Sequence, residues 1–152
     1  MSNQYDSIES LLQSRQPEKP VYCIHPHVYR EVAEHFIANF PGRVLYAVKA
    51  NNHPLVINAL AAGGIEHFDC ASVEEIALIK SLRPSATCYL MNPVRLAGDA
   101  ARACKEFGTR HFMVDHLSGV APLVAEIDAA KSIIFARMAA SHHSAMEDLS
   151  SK

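Results

Sequence analysis

The apolar positions of this chain recur in two alternating rhythms. Short β-prone runs occur at Val44–Val48, His67–Cys70, Thr87–Met91, His111–Val114 and Ile133–Ala136, with centres about 22 residues apart. Between them, Leu55–Ala62, Val73–Leu82, Leu96–Phe107 and Leu117–Ala129 carry apolar residues three and four apart, the spacing of one helix face. Gly63-Gly64 and Gly108 stand where helix C-terminal stops belong. Strand and helix alternating at a fixed period predict βα units around a parallel sheet. The runs are nearly all apolar, as expected of strands covered on both faces. A doubly wound open sheet and a (β/α) barrel both fit, and the short, regular units favour the barrel. A closed barrel takes eight units and about 250 residues. About five units are legible before the polar stretch "ASHHSAMEDLSSK". The fold class read here is therefore α/β, a partial TIM-like barrel.

The leading part of the chain is different. Residues 1–19 read as a polar lead-in with a short helix over "SIESLLQS", and residues 20–152 as the barrel portion. "VYCI" (Val21–Ile24), an apolar run between Pro20 and Pro26, predicts a strand. Val28, Val32, Phe36 and Phe40 fall four apart and predict a helix stopped by Pro41-Gly42. The aromatics of "HFIANF" read as the core of that helix.

Composition narrows the function. Half of the 152 residues are apolar, enough for a real core, and the net charge is −2 with both signs scattered. Neither a nucleic acid nor a membrane surface is the expected partner. No apolar run approaches the about 20 residues that span a bilayer. Cys23, Cys70, Cys88 and Cys104 are widely spaced, which suits free thiols in a reducing cytoplasm. The start "MSNQYDSIES" lacks the blocks of a signal peptide, so a cytoplasmic protein is expected. His25 and His27 flank a proline, and His142-His143 lie in the final polar stretch. Neither pair has metal-ligand spacing on a helix, so no metal is expected.

In parallel βα sheets, chemistry gathers at the C-terminal ends of the strands. Those ends deliver Lys49, Asp69, Asn92, Asp115 with His116, and Arg137. Ordinary loop polarity accounts for Asn92, Asp115 and His116 equally well. Lys49, Asp69 and Arg137 follow apolar residues so directly that partial burial is expected, and buried charge needs a partner. They could satisfy one another or surround a charged ligand. A partly desolvated lysine is a nucleophile toward carbonyls, and pyridoxal phosphate is the commonest cofactor so held. No glycine-rich phosphate motif is present, so a phosphate cradle would lie elsewhere. Glu75, in a predicted first helical turn, fits a helix-dipole role at least as well as a site role. Cys70 reads as a small packing residue.

"YAVKANNHPLVINALAAGG", then "HFDCASVEEIALI", then "YLMNPVR" resemble the ornithine/diaminopimelate/arginine decarboxylase family, fold-type III pyridoxal-phosphate enzymes related to alanine racemase. The resemblance runs in order over roughly residues 20–152. It implies that Lys49 forms the Schiff base with the cofactor, that Asp69 sits near it, and that Arg137, in "ARMA", lies near the cofactor. "FDCAS" is closest to the ornithine decarboxylase form, as is Asn92-Pro93-Val94-Arg95, with arginine where lysine is common. The implied function is decarboxylation of a basic amino acid, ornithine to putrescine, in polyamine biosynthesis. The implied assembly is a homodimer of a longer chain, of which this sequence resembles the N-terminal part, inactive alone. The acids that separate ornithine from lysine, arginine and diaminopimelate would lie beyond Lys152. Two alternatives stand beside this. A racemase fits less well, because Asn51-Asn52-His53-Pro54 departs from the tyrosine-glycine-histidine run of alanine racemases. A non-catalytic, partner-binding homologue fits less well because Lys49, Asp69 and Arg137 are all present.

Overall fold

The computed structural model describes residues 4–138. Five strands form one parallel sheet in sequence order: β1 (Leu45–Ala47), β2 (His67–Cys70), β3 (Thr87–Leu90), β4 (His111–Val114) and β5 (Ile133–Ala136). Helices α3 (Pro54–Ala62), α4 (Val73–Leu82), α5 (Asp99–Phe107) and α6 (Val120–Glu126) make the four crossovers. They are preceded by α1 (Ile8–Arg15) and α2 (Pro26–Asn39). This is the expected partial barrel, with the strands where the apolar runs predict them to within a residue at either end. Local chemistry sets several of the boundaries. Ser72 accepts from the Glu75 N–H at the start of α4, and Gly108 ends α5 in the left-handed region at φ 68°. Gly63 ends α3 beneath α2. A Cβ there would lie 2.5 Å from the Arg30 carbonyl oxygen, so only glycine permits this helix–helix approach.

The core lies on one face of the sheet. Phe68, Cys70, Cys88, Leu90, Phe112 and Val114 point to the helices, where Val56, Ile57, Ile76, Ile79 and Leu123 meet them. Cys70 packs there as a small buried residue, and all four cysteines are free. The register puts Asp69, Tyr89 and His111 side by side, with His67, Thr87, Met113 and Phe135 on the same, opposite face. No helix covers that face. The expectation of strands covered on both sides holds in β3, where Cys88, Tyr89 and Leu90 are all buried, and fails elsewhere: β2 and β4 alternate buried with half-buried residues, and Ile133 and Phe135 are exposed. Apolar runs reflect the barrel interior that eight strands would enclose; five strands leave it unclosed.

Two further expectations are corrected. Val21–Ile24 is no strand: it runs as irregular chain with Val21, Tyr22 and Cys23 exposed. A strand exists only with a neighbour to complete its ladder, and among the described residues none lies beside this run. Helix α2 forms as predicted, but its Val28–Val32–Phe36–Phe40 stripe is not core. Phe36 and Phe40 are 55% and 53% exposed, while Ala33 is the buried residue, packed toward Gly63. The helix docks on α3 through its small residues and leaves its larger apolar stripe unpartnered. Residues predicted helical at Leu96–Gly98 form the approach to α5, and the segment predicted over Leu117–Ala129 divides into 3₁₀ turns flanking α6.

Candidate active site

All strands run the same way, so one end of the sheet collects the residues that follow them. Lys49 sits in a 3₁₀ turn, Val48–Ala50, that directly continues β1. Val48 is fully buried and anchors the turn, while Lys49 stands exposed at the rim. The following loop is braced by its own polar groups. The Tyr46 hydroxyl donates to the Asn51 carbonyl at 3.1 Å, and Asn51 Oδ1 accepts from the His53 N–H at 3.0 Å. His53 Nδ1 in turn accepts from the Leu55 N–H and caps α3.

Asp69 is half-buried on the open face of β2, level with Ala47 of β1. Burial raises its carboxyl above the ordinary aspartate range, and the nearby Lys49 ammonium opposes that rise. Lys49, in the turn after β1, and Asp69, on neighbouring β2, thus stand near one another at the rim without a direct ion pair. The structure does not bring Arg137 to them. Arg137 follows β5 at the far edge and pairs with Asp115, which follows β4, at 3.3 Å. The expected burial holds for Asp69 alone, since both Lys49 and Arg137 are exposed on the unclosed rim.

A raised carboxyl pKa carries a stability consequence of definite sign. The folded state favours protonated Asp69, so ionisation costs stability as pH rises through the folded pKa, which lies above the ordinary 3.8. Asp69→Asn is therefore expected to raise the thermal midpoint at pH 7. The difference from the parent should vanish toward pH 3, where both side chains are neutral. Melting curves across that range check it; a variant less stable than the parent at pH 7 would show that the Lys49 attraction outweighs burial.

Other rim residues act through the backbone. Arg95 Nη1 donates to the Asn92 carbonyl at 3.0 Å and the Met113 carbonyl at 2.7 Å, tying the loop after β3 to β4. The planar guanidinium can serve two acceptors at once. Glu75 Oε2 accepts from the Ala71 N–H at 2.7 Å, the helix-start role read from sequence. Glu126, at the end of α6, accepts from the N–H groups of Gly98, Ala100 and Ala101 and occupies the start of α5. No sequence signal marks that pairing, because it joins positions about 26 residues apart. Among the described residues no helix is long and apolar enough to cross a membrane, and no group of three or more His, Cys, Asp or Glu could hold a metal. His142 and His143 lie outside the described residues.

The rim fits one part of a pyridoxal cofactor. Lys49 is the only lysine on the loops that follow the strands among the described residues, and it offers an amine beside an acid. Three of the four helix starts on the same rim, those of α3, α4 and α5, are already occupied by the chain's own side chains. His53 caps α3, Ser72 and Glu75 cap α4, and Glu126 fills the start of α5. A phosphate has to be held by residues other than these.

Residues 27–152 match the family described as pyridoxal-dependent decarboxylase, pyridoxal binding domain. No curated protein matches the chain. Solved structures are similar over most of it. Lysine decarboxylase from Selenomonas ruminantium is 22% identical, covering 99% of this chain and 39% of its own, with a TM-score of 0.75. Arginine decarboxylase of Paramecium bursaria Chlorella virus, solved with agmatine, is 22% identical over 84% of this chain and 34% of its own, with a TM-score of 0.72. Ornithine decarboxylase from Entamoeba histolytica is 26% identical over 71% of this chain and 32% of its own, with a TM-score of 0.59. This chain thus spans 32–39% of the length of these proteins. The match over residues 27–152, together with the parallel sheet that carries it, shows that the chain belongs to the pyridoxal-dependent decarboxylase family, through that family's pyridoxal binding domain.

Proposed function

We propose that this chain is the N-terminal part of a decarboxylase of basic amino acids, with ornithine as substrate and putrescine as product, and that Lys49 is the residue that bonds the cofactor's aldehyde. The observation that carries this is the placement of Lys49 beside Asp69 at the strand ends of a pyridoxal binding domain, with no other lysine on those loops among the described residues. When bound, pyridoxal phosphate supplies an electron sink for the charge left at the substrate's α-carbon as CO₂ departs.

The chain's own residues do the rest. The Val48 anchor and the Asn51–His53 brace fix where the Lys49 amine stands. Asp69, held in a half-buried position, opposes the positive charge of that amine. Arg137, oriented by Asp115, presents a cation on the far side of the rim. Ornithine as substrate is supported by the "FDCAS" and Asn92-Pro93 sequences and by the similarity to an ornithine decarboxylase. The complete protein is read as a cytoplasmic homodimer.

The test is CO₂ release by the complete protein, with pyridoxal phosphate, from ornithine, lysine, arginine and diaminopimelate in parallel. The expected outcome is a kcat/KM for ornithine at least about tenfold above the others, a difference of ~1.4 kcal/mol in transition-state binding. Preference for another of the four would overturn the substrate, and turnover of none would overturn the reaction.

A further inference from the structure

At the end of the sheet opposite Lys49, by the starts of β3 and β4, lies a cavity of ≈ 160 Å³. Its polar lining is Lys80, Ser85, Thr87, Thr109, Arg110 and His111, and no carboxylate lines it. Thr109 is 3% exposed, yet its Oγ1 has no hydrogen-bond partner. His111 Nδ1 is also buried without one, but its ring stacks on Tyr89 on the open face of the sheet. Buried polar atoms are almost always bonded, so the Thr109 hydroxyl at this cavity needs an explanation.

The surrounding charges indicate what an occupant has to be. Lys80 Nζ is held in place by the Ala86 carbonyl at 2.6 Å and the Pro84 carbonyl at 3.2 Å, which uses two of its three donors. Arg110 Nη1 donates to the Thr109 carbonyl at 3.3 Å, leaving most of its five donors. Asp128 lies near Arg110, but Lys131 engages it at 2.9 Å and it does not line the cavity. His111 is kept toward its neutral form by burial first, then by Arg43 and His67. A water molecule, whose share of liquid volume is about 30 Å³, could bond the Thr109 hydroxyl but would leave the Lys80 and Arg110 charges unanswered.

We propose that this cavity binds a small oxyanion of the phosphate or sulfate class, with Thr109 Oγ1, Lys80 and Arg110 as donors. The site is separate from the cofactor rim, lying at the other end of the strands.

The test uses the complete protein loaded with pyridoxal phosphate, so that the cofactor's phosphate is already in place. Inorganic phosphate and sulfate are titrated against chloride at constant ionic strength, and the thermal midpoint is followed. The expected result is a saturable rise with phosphate or sulfate and none with chloride. Thr109→Val keeps the shape and removes the orphan hydroxyl. Its midpoint without phosphate should equal or exceed the parent's, while its apparent Kd for phosphate weakens about tenfold or more. Lys80→Gln should weaken it similarly. No response in the parent would mean that water alone fills the cavity, and an unchanged response in both variants would place the anion elsewhere; either overturns the proposal. If the protein takes up no cofactor, the same titration without it still decides this site, so the two readings fail separately.

Discussion

Expressed alone, residues 1–152 are expected to self-associate or to melt without a sharp cooperative transition, and to release no CO₂ from ornithine. The reason lies in apolar surface that nothing covers. Val28, Val32, Phe36 and Phe40 on α2 are about half exposed, as are Ile133 and, less so, Phe135 on β5. Fully burying such side chains contributes about 1.5–3 kcal/mol each, so leaving them half exposed forgoes roughly 1 kcal/mol apiece. Six of them approach the ~5–15 kcal/mol margin of a typical domain. Strands β1 and β5 are also sheet edges with open ladders, and "SIIFARM" is β-prone with one charge, the kind of edge that pairs with other chains. Size exclusion, thermal unfolding by circular dichroism and a CO₂ assay make the measurement. A monodisperse species with a sharp transition would refute the instability, and turnover would show that the rim suffices by itself.

In the complete protein, Lys49→Ala is expected to lower kcat/KM by about a thousandfold or more, a loss of ~4 kcal/mol or greater in transition-state stabilisation. The same variant should lose the absorbance band of lysine-bound cofactor. In the parent, borohydride should fix the cofactor to the peptide containing Lys49. Geometry makes this a sharp test. Lys80 and Lys105 lie toward the C-terminal ends of α4 and α5, and Lys131 just before β5, all at the opposite end of the sheet. Label on Lys80 or Lys105, or decarboxylation surviving the loss of Lys49, would remove Lys49 from the site. Overpacking or cavity formation is not a competing explanation, because Lys49 is exposed and its truncation leaves Val48 in place.

Much of the architecture was legible along the chain because parallel βα units write their period into it. The five strands, the crossover helices and the stops at Gly63-Gly64 and Gly108 follow from residue spacing and backbone preference, both local properties. The rim followed too: in a parallel sheet, residues at and just after the end of each apolar run have only one end to occupy, which places Lys49, Asp69, Asp115 and Arg137 at the same end of the sheet. Tertiary structure decided what those residues touch. Arg137 meets Asp115 and not Asp69, because strand order puts β5 beside β4, with two strands between it and β2. Glu126 reaches the start of α5 only because α6 packs back against it. An apolar pattern states that a surface avoids water, but not which neighbour covers it. That is why the Val28–Phe40 stripe and Val21–Cys23 read as interior yet stand exposed here: α2 meets α3 through Ala33 and Gly63, and among the described residues no strand lies beside Val21–Ile24 to complete its ladder.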